Sequence, residues 1–102
     1  MIQDMTDIQT LTKEKIKLDE PGLYDVLFLN DSITTMEFVV KVLKQIYGKT
    51  PEQAQNITRR IHEDGQGIVG SYVHEVAEQK GIETTLAARQ ENFPLQVKVK
   101  KQ

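Results

Sequence analysis

Residues 28–40 read FLNDSITTMEFVV, and residues 61–70 read IHEDGQGIVG. In the first stretch an apolar run ends in Asn30, Asp31 and Ser32, after which apolar residues recur at helical spacing. In the second stretch another helical pattern ends in a histidine followed by glycines. The two stretches therefore predict a strand-to-helix corner rich in polar groups, with a histidine at the end of the helix that follows.

A buried strand is predicted before this polar corner. Residues 23–29, LYDVLFL, are apolar or aromatic except for Asp25, which indicates a strand covered on both faces. Residues 1–20 differ, because Thr, Gln, Asp and Lys dominate and the apolar residues are too sparse to define a buried face. We predict a flexible extension over residues 1–22, ended by the turn signal Pro-Gly, and one domain over residues 23–102.

Two predicted helices follow the corner, each with its own cap. Thr34 and Glu37 match a capping box, in which the threonine caps the helix and the glutamate reaches back. Gly48 then supplies a left-handed stop. Residues 50–53, TPEQ, repeat the capping box with proline at the first helical position, and Gly65 ends this second helix.

The rest of the chain predicts a strand, a helix and a strand. Residues 67–73 resemble a strand, and a third helix is predicted from His74 onward although Gly81, Thr84 and Thr85 weaken it. Near the C-terminus apolar residues alternate with polar ones, at Leu95, Val97 and Val99. The order β-α-α-β-α-β predicts an α+β fold, with a small three-stranded antiparallel sheet and three helices packed on it.

Composition narrows the class of protein. A chain of 102 residues has room for one domain, and 27% charged with 38% hydrophobic residues is an ordinary mixture for a soluble one. The net charge of -2 argues against a nucleic-acid partner. The chain has no cysteine, which excludes a disulfide framework and thiolate chemistry and fits a cytoplasmic location. We expect no membrane association, because no apolar run approaches the ~20 residues of a membrane span and the N-terminus lacks a signal-peptide pattern.

Each residue of the polar corner also has a purely structural explanation. Asn30, Asp31 and Ser32 are residue types that bond to their own backbone in tight turns. His62 near a helix C-terminus is favoured by the helix dipole, and Met36 on its own is most often a core residue. These explanations are compatible with binding, because a turn at the end of a rigid strand is a usual place for binding groups.

Two kinds of chemistry are weakly supported. An enzyme would use Asp31 and His62 as an acid–base pair, but no serine or cysteine nucleophile is placed with them and there is no cofactor loop. A metal site would use His74 and Glu78, one helical turn apart, but two ligands do not make a site. We therefore expect a binding module that is not an enzyme and that needs no cofactor or metal.

Four blocks of sequence carry a family resemblance: LNDSITTMEFVV at 29–40, HEDGQG at 62–67, EVAEQK at 75–80 and PL at 94–95. In this order they resemble the ClpS family of adaptors, which recognise N-degrons and pass them to a Clp AAA+ protease. The resemblance runs without gaps from about Tyr24 to Val99. The family's order of elements is also the β-α-α-β-α-β order predicted above.

The resemblance implies a site for the free α-amino group of a substrate. Such a group has a pKa of ~7.7–8.0, so it is largely cationic at neutral pH and needs acceptors when it is buried. Asn30 would offer its amide oxygen, Asp31 its negative charge, and neutral His62 a ring nitrogen.

The resemblance also implies a hydrophobic pocket for the first side chain of the substrate, which in the family is Phe, Tyr, Trp or Leu. Its positions match Ser32, Thr34, Met36, Val39, Thr58, Ile61 and Leu95. Met36 matches the methionine that excludes β-branched residues from the pocket mouth. Glu75 and Lys80 match the docking surface for the N-terminal domain of a Clp ATPase, ClpA-like or ClpC-like, although in sequence they are simply two exposed charges on a helix.

The chain departs from the family pattern at two positions. Ser32 stands where the family has a second acid, which removes ~1 kcal/mol of attraction for the amine at a hydrated surface. Thr58 stands where an apolar residue is common, and a smaller, polar wall would enlarge the pocket or loosen the preference between Leu and aromatic residues. These departures keep open an alternative function, a regulator of a Clp ATPase with weakened or lost N-degron binding.

Overall fold

The computed structural model describes residues 22–102 of the chain. Six elements follow one another: β1 (Tyr24–Leu29), α1 (Met36–Gln45), α2 (Pro51–Asp64), β2 (Gln66–Tyr72), α3 (His74–Gln90) and β3 (Gln96–Lys101). The predicted α+β fold and its β-α-α-β-α-β order are confirmed. The extension predicted over residues 1–22 lies outside the described residues except for Gly22.

The three strands form an antiparallel sheet in the order β2-β1-β3. Because β1 is central, it pairs with a strand on each side, and Tyr24 lies opposite both Tyr72 and Lys101. Val26, Leu27 and Phe28 are buried one after another, which confirms the prediction of a strand covered on both faces. The end of β1 therefore rests on a rigid scaffold.

The core fills the space between the sheet and the helices. Its largest fully buried side chains include Phe28, Leu43 and Leu95, which come from β1, α1 and the residue before β3. Tyr47, just after α1, packs the edge of its ring against Phe28 with 5.5 Å between the ring centroids. Burial of each such side chain contributes roughly 1.5–3 kcal/mol, so this packing is the main source of stability.

The cap of α1 is one residue later than predicted. Thr35 is the N-cap, and its hydroxyl oxygen accepts a hydrogen bond from the N–H of Phe38 at 3.1 Å. Thr34 does not cap the helix, and its hydroxyl donates to the Asp31 carboxylate at 2.8 Å. The capping box predicted from Thr34 and Glu37 was therefore wrong.

The predicted capping box of α2 is confirmed. The Thr50 hydroxyl accepts from the N–H of Gln53, and the Thr50 N–H donates to the Gln53 side chain, both at 3.1 Å. Gly65 ends α2 in the left-handed conformation with φ 85°, and its N–H donates to Ile61 at 2.9 Å. Glycine is suited to this position, because it has no Cβ to clash at positive φ.

The residues that weaken α3 in isolation differ in what they contribute to its packing. Gly81 faces β3, where an added Cβ would lie 3.5 Å from Val97 Cγ1, an ordinary van der Waals contact that does not require glycine. The Thr84 hydroxyl is buried, donates to the Lys80 carbonyl at 2.7 Å and accepts from the Tyr47 hydroxyl at 2.8 Å. The helix runs for 17 residues, since tertiary packing offsets its low propensity.

Candidate functional site

Asp31 holds the turn after β1 through its carboxylate. Its Oδ1 accepts from the N–H groups of Ile33, at 2.8 Å, and Thr34, at 2.6 Å, while Oδ2 accepts from the Thr34 hydroxyl. Partial burial raises the pKa of Asp31, but the bonds from Thr34 and Ile33 and the charge of Arg89 outweigh burial and hold the pKa below its usual value. The carboxylate is therefore ionised at neutral pH, and three bonds leave about one of its four lone-pair sites.

A main-chain hydrogen bond brings Asn30 close to His62. The N–H of Asn30 donates to the carbonyl oxygen of Gly65 at 2.8 Å, and His62 lies in the last turn of α2, just before Gly65. The side chains of Asn30, Asp31 and His62 all line one small cavity. An amide oxygen, a carboxylate and an imidazole are thus gathered at one place on the surface.

The cavity itself has a volume of about 20 Å³ and largely apolar walls. Val39, Ile61 and Leu95 are buried core residues, so packing against the core holds them in position. Met36 also lines the cavity but is 47% exposed, which places it at the mouth. Six of the seven residues predicted for the pocket line this cavity: Thr34, Met36, Val39, Thr58, Ile61 and Leu95.

Thr58 does not present an unsatisfied polar group to the cavity. Its side chain is 3% exposed, and its hydroxyl donates to the carbonyl oxygen of Ala54, one turn earlier in α2, at 2.7 Å. Threonine commonly bonds to its own helix in this way. Its hydroxyl therefore already has a partner, so the wall is less polar than the residue type alone suggested.

Arg89, which sequence reasoning missed, holds one wall of the cavity in place. Its Nη1 donates to the carbonyl oxygens of Phe93, at 2.7 Å, and Leu95, at 3.0 Å. These bonds fix the segment between α3 and β3, from which Leu95 reaches the cavity. The same guanidinium favours the ionised form of Asp31. A single arginine therefore supports both the polar and the apolar part of the site.

Two further side chains differ from the predicted set. Leu29 lines the cavity but was assigned only to the strand. The sequence feature that could have indicated this role is the position of Leu29 directly before Asn30. Ser32 is exposed and is not among the residues that line the cavity. The structure therefore does not bring Ser32 into the pocket where it was predicted.

The two predicted docking residues lie on different sides of α3. Lys80 lies five positions after Glu75, which corresponds to about 140° around a helix of 3.6 residues per turn. Glu75 is exposed. Lys80 is half-buried: its Nζ donates to the carbonyl oxygen of Ile46 at 2.7 Å and lies 5.2 Å from the ring centroid of Tyr72. The alternative interpretation of Lys80 as simply an exposed charge was wrong, because the carbonyl oxygen of Ile46 and the ring of Tyr72 contact its ammonium group.

The residues weighed for a metal site form a simple surface pair. His74 Nε2 lies 3.4 Å from Glu78 Oε1, and both side chains are about half exposed. Within residues 22–102 no third potential ligand joins them. In the same part of the chain, no helix has the length and apolar character of a membrane span.

Comparison with known proteins agrees with this architecture. Residues 19–98 match the family model described as the ATP-dependent Clp protease adaptor protein ClpS. The ATP-dependent Clp protease adapter proteins ClpS of Campylobacter jejuni subsp. doylei and Maricaulis maris are similar to this chain. The first is 42% identical, over 93% of this chain and 99% of the relative, and the second 43% identical, over 99% and 91%.

A solved structure supports the same assignment. Agrobacterium tumefaciens ClpS2 bound to L-phenylalaninamide superposes with a TM-score of 0.78 and 30% sequence identity, covering 80% of this chain and 99% of that one. Fold and sequence together define an adaptor of ATP-dependent Clp proteases, a class of proteins named for adaptor rather than catalytic activity. This chain belongs to the ClpS family.

Proposed function

We propose that this adaptor binds proteins whose free N-terminal residue is bulky and hydrophobic, Phe, Tyr, Trp or Leu, and delivers them to a Clp AAA+ protease. One observation carries the proposal: an ionised carboxylate, an amide and an imidazole line the same cavity as a set of buried apolar side chains. A substrate with a cationic amine next to an apolar side chain is chemically complementary to that arrangement. Agrobacterium tumefaciens ClpS2 holds L-phenylalaninamide, which combines these two groups.

Recognition of the amine would depend on Asn30, Asp31 and His62. Asp31 supplies the negative charge, and its remaining lone pair is the natural acceptor for the ammonium group. Asn30 and His62 add an amide oxygen and a ring nitrogen. Because three hydrogen bonds already orient the Asp31 carboxylate, little side-chain entropy is lost when the amine binds.

Entry of the first side chain requires the cavity to widen. A volume of about 20 Å³ is the size of roughly one water molecule, far less than a leucine or phenylalanine side chain. Met36 is the exposed apolar residue of the lining and has three rotatable bonds, so it is the group that moves aside. The walls made by Val39, Thr58 and Ile61 stay in place because they are part of the core.

Delivery would use other parts of the chain. We infer that the N-terminal domain of a Clp ATPase, ClpA-like or ClpC-like, docks on α3 at Glu75 and Lys80. Contacts to Ile46 and Tyr72 hold the Lys80 ammonium in a defined position, which favours a specific contact. Residues 1–22 would act after docking, as the segment that the ATPase engages. A cytoplasmic location follows from this partner.

Amide NMR of the 15N-labelled full chain tests where the substrate binds. A short peptide with a free N-terminal phenylalanine should shift the signals of Asn30, Asp31, His62 and Met36 most strongly. A spectrum that does not change at these positions would exclude substrate recognition and leave the alternative function, regulation of a Clp ATPase. Ser32 lies outside the cavity. A serine at the position where the family has an acid therefore leaves the wall of the pocket unchanged.

A further inference from the structure

A second apolar groove lies on another side of the molecule and shares no residue with the cavity described above. It has a volume of about 380 Å³ and runs between α3 and β3. Ile82 and Leu86 of α3 form its outer wall and are 54% and 60% exposed. Val97 and Val99 of β3 line the opposite side. Two large exposed aliphatic residues one helical turn apart, facing a strand, form a surface suited to apolar side chains.

The strand beside this groove has an unpaired edge. Within residues 22–102, β3 pairs with β1 on one side only. The N–H of Gln102 donates to the carbonyl oxygen of Leu23 at 3.0 Å, which extends the antiparallel register by one pair. Hydrogen-bonded residues alternate in an antiparallel pair. The main-chain groups of Lys98 and Lys100 therefore point to β1, whereas those of Val97 and Val99 point outward.

The same two valines thus offer main-chain groups to a new strand and side chains to the groove. An extended peptide that pairs with the edge of β3 would make main-chain hydrogen bonds to Val97 and Val99. Every second side chain of that peptide would lie on the groove side, against Ile82 and Leu86. Strand addition beside a helix is a recurrent mode of peptide recognition.

Charge determines which side chains suit the face of the peptide that points away from the groove. Lys98 and Lys100 are exposed and lie on the opposite face of β3 from the groove. Side chains on that face of an added strand would lie beside these lysines, where opposite charges contribute favourably. We propose that the outer edge of β3 and the adjoining groove bind an extended protein segment in which apolar and acidic residues alternate.

Two other occupants match this surface less well. In a second copy of the chain, β3 alternates valine with lysine, so pairing two such edges would place like charges together. In the chain's own N-terminal sequence, Ile16 and Leu18 alternate with Lys15, Lys17 and Asp19, so two of these three charged residues would be repelled. An acidic segment would remove this repulsion. The occupant is therefore a segment of a protein other than this chain.

The probe for this test is the peptide acetyl-Glu-Val-Glu-Val-Glu-amide, titrated into the 15N-labelled full chain. Acetylation removes the free amine, so binding at the candidate substrate site does not contribute and the result is independent of the proposed function. We expect the amide signals of Val97 and Val99 to shift. A peptide with lysine in place of glutamate should bind at least ~10-fold more weakly, a difference that shrinks at high salt. Equal affinities, or unchanged β3 signals, would overturn the proposal.

Matched variants separate the groove from general surface effects. Leu86→Glu should weaken binding of the glutamate peptide at least ~10-fold, because it places a charge in the groove. Ile68→Glu is the control, since Ile68 is 49% exposed but lies on β2. Equal losses in both variants would overturn the proposal. A peptide-free dimer formed through β3, or β3 signals that shift when residues 1–20 are deleted, would assign the groove to another occupant and also overturn it.

Discussion

The N–H of Asn30 donates to the carbonyl oxygen of Gly65 at 2.8 Å, and this bond continues the pairing of β1 with β2 to the end of α2. It brings together the two sequence stretches that carry the polar groups of the candidate site. Because the bond uses main-chain atoms, it survives replacement of the Asn30 side chain. The link between these two segments therefore belongs to the fold, and the Asn30 side chain can be changed without breaking it.

Asp31→Asn tests whether charge is needed at the rim of the cavity. Asparagine keeps an acceptor for the N–H groups of Ile33 and Thr34, so the turn and the domain should stay folded. Loss of the charge should weaken binding of a peptide with a free N-terminal phenylalanine by ~10-fold or more, measured by calorimetry. Ser32→Ala is the control and should bind normally, because Ser32 lies outside the cavity. Unchanged affinity in Asp31→Asn would mean that the carboxylate serves only the turn.

Met36→Ala tests the mouth of the cavity. Met36 is half exposed, so its truncation should cost less than ~1 kcal/mol of stability. The wider mouth should admit peptides that begin with isoleucine or valine, which the parent chain should reject, because this rejection is steric. Ile33→Ala, an exposed change in the same turn, should leave the preference unaltered. If Met36→Ala still rejects β-branched residues, the buried walls set the preference instead.

Tyr47 should make the domain sensitive to alkaline pH. Burial, above all, raises the pKa of the Tyr47 hydroxyl from its ordinary 10.0 to about 12. Between these values the unfolded chain has lost the proton that the folded chain keeps, so stability should fall as pH rises from about 10 to about 12, by roughly 2–3 kcal/mol. Tyr47→Phe should be less stable by about 1 kcal/mol at neutral pH but should lose less stability above pH ~10. Urea unfolding across this range measures both effects, and parallel curves for the two proteins would refute the assignment.

Local signals predicted most of the fold from the sequence. The capping box at Thr50 and the stop at Gly65 depend on neighbours within a few residues, so they could be identified without a structure. The cap predicted at Thr34 lies at Thr35, the next residue and of the same type. Local propensity does not decide between two adjacent threonines.

The candidate site was less accessible from sequence, because its geometry depends on contacts between distant segments. Leu29 is held beside the cavity by its pairing with Gln66 and Gln96, which are distant in sequence. Arg89 acts through the carbonyl groups of Phe93 and Leu95, which no sequence pattern marks. Lys80 was expected in solvent, yet Tyr47 and Tyr72 approach it from other elements. The family resemblance identified site residues that spacing alone could not distinguish from ordinary turn and core residues.

Deletion of residues 1–20 tests the role of the extension in delivery. All the groups proposed to bind the peptide lie within residues 22–102, so the shortened chain should bind peptide and a Clp ATPase as the full chain does. Degradation of a substrate with an N-terminal phenylalanine by the assembled protease should be impaired. Unchanged degradation would reduce the extension to a passive linker, and lost peptide binding would place these residues in the binding domain.

The central claim, that a free amine and an apolar side chain are recognised together, is tested most directly by calorimetry at pH 7 with two peptides that differ only in N-terminal acetylation. Acetylation removes the positive charge and adds bulk where Asn30, Asp31 and His62 meet. The account predicts that a peptide with a free N-terminal phenylalanine binds at least ~100-fold more tightly than its acetylated form, as expected for several charge-assisted hydrogen bonds. Equal binding of the two peptides would contradict it.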